Sequence, residues 1–142
     1  MLKRLIPTAA ALALLAAAAP ARAQDWNPPS RQMPDMPTAD QLGGGWKSSY
    51  GAWFAGSDVQ LASVNASAAG SRGGRALQVR FSGGVRPVAV WSDRNGDGKC
   101  DMLEVFRNGA LAYQVIDADY DGNANVLRVY DSAGNLSREA RM

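Results

Sequence analysis

The sequence contains no histidine and only one cysteine, Cys100. Without histidine there is no Ser-His-Asp or Cys-His catalytic arrangement and no histidine-bound zinc. One cysteine cannot make a disulfide within the chain, so a small domain has to find another staple, and a bound metal is one option. Glutamate is nearly absent: Glu104 and Glu139 are the only two. Beyond the first residues there is no long segment with helical apolar spacing. Any metal site built from this composition draws on aspartate, asparagine and main-chain oxygen, which suits hard cations.

The beginning of the chain reads as an export signal. Lys3 and Arg4 precede the apolar run "LIPTAAALALLAAAA", and "ARA" at 21–23 supplies small residues for cleavage after Ala23. The run is too short to span a bilayer comfortably. Cys100 has no lipobox before it. Removal of 1–23 takes away Lys3, Arg4 and Arg22, so fifteen basic residues become twelve against thirteen acidic ones. The basic character of the precursor therefore argues for no acidic partner. Arg72, Arg75, Arg80 and Arg86 form a local basic stretch that reads as solvated surface charge, with no nucleic acid implied. The mature chain has the length of one modest domain and is expected to be secreted or periplasmic, with no membrane span.

Residues 24–45 hold four of the seven prolines and end in three glycines. This composition predicts a flexible tether. Residues 46–142 are expected to form a single β domain. "RALQVRF", "VRPVAVW", "MLEVFR", "ALAYQVI" and "VLRVY" alternate apolar and polar positions and favour β-branched and aromatic residues. "WKSSYGAWF" and "DVQLASVNA" alternate more weakly and are also expected to be extended. Asn108-Gly109 is a hairpin signal, and "DSAGN" separates "VLRVY" from "LSREARM". The expected fold is all-β: a small antiparallel meander, sandwich or barrel-like.

The stretch "DRNGDGKCDMLE" at 93–104 stands out. Asp93, Asn95, Asp97, Asp101 and Glu104 place side-chain oxygens at offsets one, three, five, nine and twelve, with Gly98 at six. The spacing recurs in "DADYDGNANVLR" at 117–128, where Asp117, Asp119, Asp121, Gly122 and Asn125 fall in register. Alternate side chains of a chain curling around an ion point inward, and glycine at six permits the sharp bend. Offset seven offers a main-chain carbonyl, from Lys99 or Asn123. By composition such a pattern arises at about a few starting points per million. Two copies in one small domain therefore point to two cation sites, most naturally Ca2+. Offset twelve is Glu104 in the first copy and Arg128 in the second, so the first site is expected to bind more tightly if Glu104 ligates.

These loops resemble EF-hand loops in spacing, but glycines and a proline stand where the entering helix belongs. They are more similar to the D-x-[DN]-x-D-G-x-x-D calcium loops of integrin-type FG-GAP repeats and related bacterial extracellular repeats, which lie in β-hairpins. That resemblance covers roughly 88–142 and is specific only in the loops. It implies structural calcium; the chain is too short to carry over the propeller fold.

The functional expectation is a calcium-binding protein whose hairpins are clipped by the ion and which binds or assembles with something else. Candidate partners are a second copy or an extracellular protein or glycan. Two alternatives stand beside it: an adhesin-like module using Trp46, Tyr50 and Trp53 as an aromatic platform, and a calcium-dependent hydrolase. No catalytic residue is assigned, because the loops already account for every clustered aspartate.

Overall fold

The computed structural model describes residues 26–142. The expected signal peptide lies outside the described residues. Among the described residues seven strands form one antiparallel sheet in sequence order: β1 (Asn65–Arg72), β2 (Arg75–Gly83), β3 (Arg86–Ser92), β4 (Met102–Arg107), β5 (Ala110–Ile116), β6 (Val126–Tyr130) and β7 (Leu136–Arg141). The meander expected from period-two patterning is present as a single open sheet. The Asn108-Gly109 turn joins β4 to β5 with φ of 52° and 79°, both in the left-handed region that this dipeptide tolerates.

Alternation assigns the two faces. Val79, Trp91, Leu103, Val115 and Leu127 are successive cross-strand neighbours, as are Phe81, Ala89, Val105, Tyr113 and Val129. All ten are buried in one apolar cluster. The opposite face carries the row Arg80, Val90, Glu104, Gln114, Arg128 and Glu139. A sheet with one apolar face needs a second layer, and the residues before β1 supply it.

Two sequence expectations are corrected in that layer. "WKSSYGAWF" is not a strand. It forms helix α2 (Trp46–Tyr50), preceded by the short helix α1 (Ala39–Gly43) and followed by a 3-10 turn at Gly51–Phe54. Trp46, Tyr50, Trp53 and Phe54 follow helical spacing, i, i+4, i+7 and i+8, which puts all four on one side. That side meets the sheet: Trp46 and Phe54 contact Phe81, while Tyr50, Trp53 and Phe54 contact Trp91. "DVQLASVNA" is likewise only partly extended. A 3-10 turn occupies Leu61–Ser63, and β1 begins at Asn65.

The proline-rich stretch also differs from a free tether over its described part. Residues 31–38 run across the ends of three hairpins as a strap. Ala124 N donates to Arg31 O at 2.6 Å, Cys100 N to Pro34 O at 2.9 Å and Ala76 N to Pro37 O at 3.0 Å. In return Met33 N donates to Gly122 O at 2.9 Å and Met36 N to Gly98 O at 2.8 Å. Each forward step of one triplet along the strap moves back one whole hairpin in the sheet, through the bridges Gln32 to Asn123, Asp35 to Lys99 and Thr38 to Arg75.

The match has a metric cause. Three residues of polyproline-type chain rise about 9.3 Å, and two strands occupy about 9.5 Å of sheet. One triplet, "QMP" or "DMP", therefore spans one hairpin. Proline's missing N–H costs nothing here, because methionine is the donor of each triplet and proline the acceptor. Met33 and Met36 are buried against the sheet ends, at 2% and 0% exposure.

Candidate metal centre

Both acidic loops sit at the sheet end crossed by the strap. The first links β3 to β4 and the second links β5 to β6. Carboxylate oxygens of Asp93, Asp97 and Asp101 lie within 4.8 Å of one another, as do those of Asp117, Asp119 and Asp121. Either group can hold a metal ion. Asp93, Asp101 and Asp117 are buried; Asp97, Asp119 and Asp121 face solvent.

The two loops share one hydrogen-bond scaffold. Asp93 Oδ2 accepts from Gly98 N, and Asp117 Oδ2 accepts from Gly122 N, both at 2.8 Å. Asp101 Oδ2 accepts from Arg94 N at 2.7 Å, and Asn125 Oδ1 accepts from Ala118 N at 2.9 Å. Asp97 Oδ1 takes Lys99 N at 3.0 Å, and Asp121 Oδ1 takes Asn123 N at 2.9 Å. Asn95 Oδ1 accepts from Asp97 N at 3.3 Å. The glycines at offset six, Gly98 and Gly122, have φ of 90° and 91°, a bend that an L side chain strains to make.

The strap holds the main chain beside both expected carbonyl ligands. It bonds Gly98 O and Cys100 N on either side of Lys99, and Gly122 O and Ala124 N on either side of Asn123. The Lys99 ammonium turns outward to Asp35 Oδ1 at 2.9 Å.

Electrostatics distinguish Asp101. Burial raises its pKa above the ordinary aspartate value, and the nearby charges of Asp97 and Asp93 push the same way; the Arg94 and Asn95 N–H groups oppose the shift. A cation would relieve that cost directly. Cys100 is fully buried beside the cluster, and burial pushes its thiol well above the usual range. It packs as an apolar residue under the strap, and its Sγ lies 3.2 Å from Met102 O.

Glu104 is not brought to the loop. It lies on the outer face of β4, where its carboxylate accepts from Gln114 Nε2 at 2.9 Å. Arg128 occupies the corresponding place on β6 and pairs with Glu139 at 2.8 Å. Offset twelve falls inside a strand in both copies, so the strand's direction and not the loop's curl decides where the side chain points. The aromatic platform is also absent from the surface: Trp46, Tyr50 and Trp53 are 4%, 9% and 8% exposed.

A third unit escapes a search for acids. Counting back by the same interval that separates Asp117 from Asp93 places Gly74, Arg75 and Ala76 of the β1–β2 turn at offsets six, seven and eight. Gly74 keeps a left-handed φ of 81°, and Ala76 makes the same strap bond as Cys100 and Ala124. Ala69, Ser71, Gly73 and Leu77 stand where the acids would be. A glycine at six followed two places later by a small buried residue marks all three units.

No family model, curated protein or solved structure matches the chain. Among the described residues no helix is long and apolar enough to cross a membrane.

Proposed function

We propose that this is an exported, non-catalytic calcium-binding protein in which two Ca2+ ions, one per acidic loop, clip neighbouring β-hairpins. The observation that carries this reading is the pair of aspartate triads, each with oxygens within 4.8 Å, set on one hydrogen-bond scaffold that the chain builds twice. Three carboxylates so close repel one another in the absence of a cation, and the side chains at the ligand offsets offer only hard oxygen. The ligand sets are Asp93, Asn95, Asp97, Asp101 and the Lys99 carbonyl, and Asp117, Asp119, Asp121, Asn125 and the Asn123 carbonyl. Glu104 is left out of the first set because Gln114 engages it. Calcium is preferred over magnesium because these loops offer many protein oxygens in flexible geometry.

The ion acts as a folding ligand. At a free concentration of about 100 times Kd it contributes about 2.7 kcal/mol per site, and extracellular modules of this sort work at about 10⁻⁴ to 10⁻³ M. The clipped sheet then serves as a rigid body for a partner outside the cytoplasm. Thermal unfolding in millimolar Ca2+, Mg2+ and EGTA tests the reading. A clear rise in Tm with Ca2+, smaller with Mg2+, is expected; identical curves in all three would sink it.

A further inference from the structure

The sheet has two free edges among the described residues, and they are built differently. β7 presents Arg138, Glu139 and Arg141, and Glu139 is tied to both Arg128 and Arg141. Charge on an edge strand is the usual guard against pairing with another chain. β1 has no charged guard of this kind; Gly70, with φ of 72°, departs from the extended conformation only near the end of the strand. Residues 65–71 carry no charge and no proline, and Arg72 at the end of β1 is the strand's only charged residue. Seven of its eight residues are exposed. The exception is Ala66, which packs against the core beside Phe81.

We propose that the β1 edge is a self-association surface, and that its partner is β1 of a second copy in antiparallel pairing. The sequence of the strand is compatible with its own reverse. A two-fold axis through Ala68 sets Ala68 against Ala68, Ser67 against Ala69, Ala66 against Gly70 and Asn65 against Ser71. This register keeps the inner face opposite the inner face, as a shared sheet requires. Ala66 and Ala68 neighbour Phe81 and Val79 across β2, so the joined edge continues the apolar face from one copy into the next. No like charges meet within the overlap, and the arginines lie beyond its ends. Pairing β7 with itself would bring its charged side chains together. Pairing β1 with β7 would give an open chain of copies and not a closed dimer. The β1–β2 hairpin has none of the loop acids, so this inference does not rest on the cation reading.

Sedimentation equilibrium of the mature chain from micromolar to millimolar concentration, in Ca2+, is the test. A reversible monomer–dimer equilibrium is expected. Ala68→Lys places an exposed lysine on the monomer, with thermal unfolding at low concentration unchanged, but puts two ammonium groups at the two-fold axis. Dimerisation should weaken by about tenfold or more. Ala68→Cys should cross-link into a covalent dimer on mild oxidation, Cys100 being buried. A chain that stays monomeric throughout, a dimer indifferent to Ala68→Lys, or open-ended assemblies would each overturn the proposal.

Discussion

The loops at 93–101 and 117–125 perform the same main-chain work with different chemistry. At offset nine the first uses a buried carboxylate, Asp101, and the second an amide, Asn125, yet both accept the N–H at offset two, at 2.7 Å and 2.9 Å. At offset three the exchange runs the other way, with Asn95 in the first and Asp119 in the second. Folding the loop therefore needs an oxygen at offset nine but not a charge. Each loop nevertheless brings three carboxylates together. Charge that the fold does not need, and that burial penalises at Asp101, is what the proposed cation would explain. The β1–β2 turn completes the comparison: it lacks the acids and keeps the strap bond.

The largest effects should come from the buried aspartate that opens each loop. Asp93→Ala removes the acceptor for Gly96 N and Gly98 N, both bonded at 2.8 Å. The expected loss is about 2–4 kcal/mol, from orphaned donors costing about 1–3 kcal/mol each. Asp117→Ala should cost less, because its bond to Asp121 N is 3.3 Å long and only the one to Gly122 N is short. Denaturant unfolding in EGTA measures both without any cation contribution. Equal losses would show that the longer bond matters as much as the short one.

Much of this contrast is legible in the amino-acid sequence, and part of it is hidden there. The strands from β2 to β6 are legible because each buries alternate residues on one face, and period two is a local signal. The loops are legible because oxygens recur at fixed offsets. The second layer is not. In "WKSSYGAWF" helical and extended spacing overlap over so few residues that the choice falls to tertiary packing on Phe81 and Trp91. The strap is hidden because proline-rich chain has no periodic burial of its own. Its order comes from a match between a triplet of extended chain and two strands, a relation between distant parts of the sequence. Glu104 misleads because an offset counted along the chain ignores where the strand begins.

A middle-sized effect comes from exchanging the two loops' chemistry. Asp101→Asn gives the first loop the second's neutral acceptor, and Asn125→Asp does the reverse. The folded-state pKa of Asp101 is raised, chiefly by burial. Its contribution to stability is thus fully present below the unfolded value, about 3.9, and is lost as pH rises through the folded value. In EGTA at neutral pH, Asp101→Asn should therefore be the more stable protein, by a few tenths to about 1 kcal/mol. The advantage should vanish on acidification below about pH 4. In Ca2+ the order should reverse, because the variant has one carboxylate fewer to offer. Asn125→Asp should lower metal-free stability and enlarge the calcium-induced rise in Tm. Unfolding curves at several pH values, with and without Ca2+, separate the two terms. A variant that stays ahead in both buffers would mean that Asp101 does not meet the ion.

The smallest effect is expected at offset twelve, where the sequences of the two copies differ most. Glu104 and Arg128 have opposite charge, yet each sits in the same cross-strand row on the outer face. Glu104 accepts from Gln114 Nε2, and Gln114 Oε1 accepts from the Tyr130 hydroxyl at 2.7 Å. Arg128 meets Glu139 at 2.8 Å with both side chains about a third exposed, 38% and 30%. Interactions of this kind on the solvent face of a sheet are weak. Glu104→Gln keeps an acceptor for Gln114 and removes only the charge, so stability should change by less than about 0.5 kcal/mol. More telling is the calcium response, which should match that of the unaltered protein. A drop comparable to that of Asp101→Asn would place Glu104 on the ion. The first residues of β4 would then have to leave the sheet and give up the pairs Met102–Ile116 and Leu103–Val115. Because Leu103 and Val115 are both fully buried, that movement would uncover core. The sheet's own packing therefore opposes the twelfth ligand.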